Sequence, residues 1–178
     1  AAARRVGLVV SVDTGTRAND VVARASELGI DVIIADHHLP EADLPAALAI
    51  LNPNRPDCPY PDKNLCAAGV VFKLIEALLA ESGWPEARRS RLLDSFLKVV
   101  AIATVADVVA LQGENRVIVR RGLEGLETVR NPGLRALMEV AGFREGERPT
   151  AGQVGFRIAP RINAAGRMAS AADVIELL

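Results

Sequence analysis

Two apolar runs that each end in an aspartate dominate the first part of the chain. Val6 to Val12 leads into Asp13, and Asp31 to Ala35 leads into Asp36. The segment between them has apolar residues at helical spacing, and Gly29 follows it as a helix stop. Continuous apolar runs joined by a helix are typical of buried parallel strands. This region therefore predicts one βαβ unit.

The pattern changes after this unit. Ala46 to Leu51 predicts a third strand, and a turn-rich stretch with four prolines follows at Asn52 to Asp62. A short polar linker is predicted at Gly142 to Thr150. We expect an α/β fold with a parallel sheet that continues into a mostly helical segment. Helices are predicted at Leu65 to Glu81, Glu86 to Ala106, Val117 to Val129, Pro132 to Ala141 and Ala171 to Leu178.

Composition limits the class of protein. The formal net charge is -1, so bulk charge cannot drive binding to a polyanion. No apolar run approaches the roughly 18 residues that span a bilayer, so we expect a cytoplasmic protein without membrane contact. Cys58 and Cys66 are too few for a disulfide scaffold or a zinc quartet, and we interpret them as reduced thiols. The chain ends within an apolar helical pattern, so we expect it to be part of a longer protein.

The strand ends carry the first candidate site. Ligands bind at the carboxyl edge of open parallel sheets, where Asp13 and Asp36 both fall, and the only histidines of the chain are His37 and His38. Carboxylate and imidazole groups together suit Mn²⁺ or a similar ion. Side chains alternate on an extended backbone, so we expect one histidine to face the ion and the other the substrate. A turn-capping aspartate followed by two solvated histidines is the alternative.

A third acidic residue stands within an apolar run. Asp107 interrupts Val99 to Leu111, so its carboxylate must lie at a boundary or have a partner, which a metal ion would supply. A surface aspartate at a helix end fits the spacing equally well.

Basic residues concentrate near the end of the chain. From Arg148 to Ala172 there are four arginines and no acidic residue. A proline and a glycine interrupt this stretch, so we expect Arg161, Asn163 and Arg167 on a shaped loop whose guanidinium groups bind phosphate. A solvated basic face is the alternative, because arginine is the usual cation of this chain.

Several motifs together resemble the DHH phosphoesterase superfamily and, within it, the RecJ family of single-strand-specific 5′-to-3′ DNA exonucleases. The resemblance covers essentially the whole chain. It rests on Asp36-His37-His38, on Asp13 in a Val-Asp-Thr-Gly context, on Asp107 in Ala-Thr-Val-Ala-Asp-Val-Val, and on the stretches Asn52 to Asn54, Asn64 to Lys73, Gly113 to Arg116, Arg120 to Leu123, Arg130 to Leu134 and Pro160 to Arg167.

The resemblance implies a role for each residue of the strand-end group. Asp13 would bridge two ions of Mn²⁺ or Mg²⁺, and His37 and Asp107 would bind one of them. Asp36 would support these ligands without binding the metal. His38 would face the scissile phosphate.

The family's Arg-x-Asn-Ala-x-Gly-Arg motif matches Arg161, Asn163 and Arg167, which would lie near the substrate phosphate. Ala110 replaces the family's usual proline. The family's first motif, a strand ending in an Asp-x-Asp cluster, is not among these residues. We therefore expect at most one weak metal site, and no nuclease activity, in this chain alone.

The resemblance thus implies part of the catalytic core of an exonuclease that acts in DNA repair and recombination. Single-stranded DNA would be its substrate, with a single-strand-binding protein and a helicase as candidate partners. The predicted domains are a partial DHH-type α/β domain over residues 1–111 and a helical continuation over residues 112–178. Two alternatives remain: a DHH phosphodiesterase for oligoribonucleotides or cyclic dinucleotides, and a non-catalytic replication module.

Overall fold

A three-stranded parallel sheet positions the strand ends. In this computed structural model, which describes residues 5–168 and 171–178, the strands lie in the order β1, β2, β3. Their bounds are Leu8–Val12, Asp31–Ala35 and Ala49–Leu51. Both strand pairs are parallel, so all three carboxyl ends lie at one edge of the sheet. The predicted α/β class with a parallel sheet is confirmed.

Helices connect and follow the strands. Helix α1 joins β1 to β2 and stops before Gly29, which has a left-handed φ of 68° that a residue without a side chain adopts easily. The helices are α1 (Asn19–Glu27), α2 (Ala67–Glu81), α3 (Glu86–Ala106), α4 (Gly113–Leu126), α5 (Pro132–Val140), α6 (Ala151–Gln153), α7 (Ala159–Met168) and α8 (Ala171–Leu177). A π-helical segment, Val154–Ile158, lies between α6 and α7.

Strand β2 is the buried centre of the first part of the chain. Val32 and Ile34 pack with Val22 of α1 in a small core. The expectation that β1 is equally buried is wrong, because within the part of the chain that the structure describes β1 pairs with β2 alone and most of its side chains are exposed, Val10 to 49%. An apolar run alone does not reveal how far a strand is covered.

Helices α3 and α4 build the larger core. Leu123 and Leu126 of α4 pack with Ile102 of α3, and α5 and the π-helical segment complete the same cluster. The two helices approach closely at Gly122. A Cβ at that position would stand 2.2 Å from the Cβ of Ala101.

The arginine-rich segment is helical, so the predicted shaped loop is wrong. Thr150 caps the start of α6 in a reciprocal capping box with Gln153, and helical backbone continues through the π-helical segment into α7. Pro160 falls at the second position of α7, where the hydrogen-bonding pattern changes from i→i+5 to i→i+4.

The chain divides into two compact units, Ala1–Glu81 and Ser82–Leu178. The domains expected at residues 1–111 and 112–178 stay a prediction. Among the described residues, no helix has both the length and the apolar character needed to cross a membrane.

Candidate metal centre

Asp13 begins the site at the end of β1. Its backbone has a φ of 62°, and its N–H donates to the carbonyl of Ala35 across a distance of 3.0 Å. Aspartate tolerates this left-handed conformation better than most residues. The strand therefore ends in a turn that leaves the carboxylate exposed.

Asp36 follows β2 and is almost completely buried, with 1% of its surface exposed. Its Oδ2 accepts a hydrogen bond from the backbone N–H of Thr16 at 3.0 Å. Its Oδ1 accepts from the backbone N–H groups of His37 and His38 and lies 2.7 Å from Nδ1 of His38. Burial raises the pKa of Asp36, but hydrogen bonds from Thr16, His38 and His37 outweigh it and hold the pKa well below its usual range.

His37 and His38 lie on the same side of the site. The centroids of their rings are 4.6 Å apart, and Nε2 of His37 is 3.3 Å from Oδ1 of Asp13. One possible ligand atom from each of Asp13, His37 and His38 lies within 4.8 Å of the other two. The predicted alternation of the two histidines is wrong, because the backbone leaves the extended conformation after Ala35 and folds around the Asp36 carboxylate.

The donor chemistry of this cluster fits a divalent transition ion. The carboxylate oxygen of Asp13 and the imidazole nitrogen of His37 form a mixed oxygen and nitrogen pair, which suits Mn²⁺ and chemically similar ions, and the ring of His38 lies beside them. Asp36 accepts hydrogen bonds from the backbone N–H groups of both histidines and contacts the ring of His38. It therefore orients the two histidines without itself being one of the clustered ligand groups.

Two asparagines at the end of β3 belong to the same site and were not predicted from the residues as part of it. Asn52 donates to the carbonyl of His38 at 2.8 Å and to Oγ1 of Thr16 at 3.0 Å, and Asn54 donates to the carbonyl of His37 at 2.6 Å. The available signal was their position directly after the third parallel strand.

The other predicted site residues lie in the second unit. Asp107 caps the carboxyl end of α3 and is exposed, followed by Val108 with a φ of 58°. Arg161 and Asn163 are exposed on α7, and Arg167 is in the same helix with its side chain outside the described residues. Their roles in metal and phosphate binding stay predictions.

The chain is similar to known proteins over nearly its whole length. A family model described as "DHH family, N-terminal domain" matches residues 3–104. The single-stranded-DNA-specific exonuclease RecJ of Escherichia coli strain K12 is 44% identical over 172 residues, which cover 93% of this chain. The chain spans 30% of the length of that relative.

Solved structures of RecJ are also similar to this chain. The crystal structure of RecJ in complex with Mn²⁺ from Thermus thermophilus superposes with a TM-score of 0.80 at 36% identity, covering 97% of this chain and 24% of that one. The structure of RecJ from the same organism in complex with Mg²⁺ gives a TM-score of 0.67 at 33% identity, covering 97% and 22%.

Proposed function

Because the chain belongs to the DHH family, we propose that it is part of the catalytic core of a metal-dependent, single-stranded-DNA-specific exonuclease of the RecJ type. The observation that carries the proposal is the cluster of Asp13, His37 and His38 at the carboxyl edge of the sheet. The relatives that are similar to this chain over nearly its whole length are named as exonucleases of this specificity.

Asp13 and His37 would hold a divalent ion, Mn²⁺ or Mg²⁺, and Asp13 would contribute to a second one. When bound, such ions supply positive charge that activates water and stabilises the leaving oxygen of a phosphodiester. The left-handed turn at Asp13 and the strand end before Asp36 keep these side chains at a fixed edge of the sheet. Asp107 is proposed as a further ligand.

His38 would face the scissile phosphate. With Asp36 ionised, the short contact at Nδ1 keeps a proton on that nitrogen and leaves Nε2 as the atom available to substrate. More than half of the His38 side chain is exposed, so a phosphate can reach it. Asp36 would therefore orient His38 rather than bind metal.

Single-stranded DNA would be bound through its phosphates, with Arg161, Asn163 and Arg167 as the proposed contacts. Arginine guanidinium groups bind phosphate through paired hydrogen bonds. A role in DNA repair and recombination, a cytoplasmic location, and a single-strand-binding protein and a helicase as partners belong to the same proposal. The cluster of a carboxylate and two imidazoles argues against a non-catalytic replication module, which needs no such group.

The test compares nuclease activity on 5′-labelled single-stranded DNA, duplex DNA, oligoribonucleotides and cyclic dinucleotides in the presence of Mn²⁺. It uses the 178-residue chain and a protein extended to the length of its relatives. The extended protein should degrade single-stranded DNA in preference to the other substrates, and Asp13→Ala should abolish this. A preference for cyclic dinucleotides, or full activity of the Asp13→Ala protein, would contradict the proposal.

A further inference from the structure

We propose that Asn52 and Asn54 are positioning residues that fix the backbone of His37 and His38 and thereby set the geometry of the metal centre. The inference rests on the proposed function, because it assigns these asparagines a role toward the ion that His37 would bind. They follow β3, the third strand end at the edge of the sheet that carries Asp13 and Asp36.

The hydrogen bonds divide between the two histidines. Nδ2 of Asn54 donates to the carbonyl of His37 at 2.6 Å, and Nδ2 of Asn52 donates to the carbonyl of His38 at 2.8 Å. The N–H groups of the same two histidines donate to Asp36. Each histidine is thus held on its amide side by Asp36 and on its carbonyl side by an asparagine.

Asn52 uses its whole carboxamide. One N–H is directed to the carbonyl of His38 and the other to Oγ1 of Thr16, while its oxygen accepts from the backbone N–H of Asn54 at 2.8 Å. Thr16 in turn donates its backbone N–H to Asp36. Two donors and one acceptor on a short, buried side chain are properties of asparagine that aspartate and serine do not combine.

The loop that carries the asparagines is itself tied down. Nζ of Lys63 donates to the carbonyls of Pro53 and Cys58, both at 2.7 Å. Nη1 of Arg55 donates to the carbonyl of Ile50 in β3 at 2.7 Å. The asparagines therefore act from a fixed loop, which is what a positioning residue requires.

The test uses Asn54→Leu in the full 178-residue chain, because leucine is close in size, removes the donor to His37 and adds no charge near the ion. Asn54 is only partly buried, whereas Asn52 is buried, and Asn52→Leu would remove the partner of three polar groups, one of them on buried Thr16, and could prevent folding. Val22→Ala is the matched control, because it removes methyl groups from the core of the same unit without touching the loop.

Two readouts are measured. Amide hydrogen exchange at His37 and His38 should be faster in Asn54→Leu than in wild type and unchanged in Val22→Ala, because local opening of the loop does not depend on global stability. Mn²⁺ affinity, measured by calorimetry, should weaken at least about tenfold in Asn54→Leu, the usual cost of losing a partner that orients a ligand. Val22→Ala should keep the wild-type affinity despite its lower melting temperature.

Unchanged exchange at the two histidines in Asn54→Leu would overturn the inference, and so would a Mn²⁺ affinity equal to that of Val22→Ala. Failure of the proposed function looks different. If wild type and His37→Ala bind Mn²⁺ equally, the metal centre itself is wrong and the role of the asparagines toward metal is lost with it.

Discussion

Nδ1 of His38 lies 2.7 Å from Oδ1 of Asp36, a carboxylate with 1% of its surface exposed. The same oxygen accepts the backbone N–H groups of His37 and His38, so one buried charge organises two consecutive histidines. Buried carboxylates with this many donors stay ionised, and a fixed negative charge determines which nitrogen of the neighbouring ring carries a proton.

Replacement of Asp36 by asparagine should destabilise the fold. Both carboxylate oxygens of Asp36 accept hydrogen bonds in the wild type, and asparagine replaces one of them with an NH₂ group, which cannot accept. At least one N–H that donates to Asp36 therefore loses its partner. The free energy of unfolding at pH 7 should fall by about 2 kcal/mol. Chemical denaturation of wild type and Asp36→Asn at pH 7 checks this, and equal stability would contradict the described hydrogen bonds.

The same variant should change how stability depends on pH. The pKa of Asp36 is lowered on folding, so its contribution is complete above the pKa of an unfolded aspartate, about 3.9, and is lost as the pH falls further toward the folded value. Wild type should therefore lose stability below about pH 4, and the difference in stability between wild type and Asp36→Asn should become smaller there. Denaturation midpoints of both proteins, measured from pH 7 to pH 3, test this direction, and a difference that stays constant would contradict it.

His37→Ala should weaken Mn²⁺ binding more than about tenfold, because it removes an imidazole nitrogen 3.3 Å from the Asp13 carboxylate. Calorimetry on the 178-residue chain measures this effect. Equal affinity in wild type and His37→Ala would remove His37 from the ligand set.

Gly122→Ala should destabilise the second unit, because the added Cβ would stand 2.4 Å from the carbonyl oxygen of Leu97 in α3 and 2.2 Å from the Cβ of Ala101. Overpacking of this kind costs about 2 kcal/mol. Gly125→Ala in the same helix is the control, because the nearest neighbours of its new Cβ would be atoms of the flexible Lys98 side chain. Thermal unfolding should show a loss for Gly122→Ala and none for Gly125→Ala; similar midpoints would contradict the close helix packing.

Arg161→Ala in the extended protein should weaken single-stranded DNA binding with little dependence on base sequence, because a guanidinium group that binds a phosphate makes no contact with the bases. The slope of log affinity against log salt should fall by roughly 0.7. Arg120→Ala is the control, since Arg120 is exposed on α4 and pairs with Glu124. If Arg120→Ala changes the slope and Arg161→Ala does not, the DNA contacts another face.

Local patterns predicted much of this fold. The predicted helix Glu86 to Ala106 has the bounds of α3, and the apolar run before Asp36 is the buried strand β2. Both could be predicted because hydrophobic periodicity and helix-stop residues are properties of short stretches of sequence. Short motifs also predicted the family, and the match over residues 3–104 confirms it.

The arrangement of the site was decided by tertiary structure. Asn52 and Asn54 reach the histidines across 14 and 17 positions of sequence, and Thr16 reaches Asp36 across 20. The sequence analysis expected the two histidine side chains to alternate on an extended backbone. Hydrogen bonds to Asp36 after β2 and from Asn52 and Asn54 after β3 instead hold the histidine backbone so that both rings lie on one side. Periodicity encodes which face of an element is buried, but the direction of a side chain beyond the end of a strand depends on partners that only the folded sheet brings together.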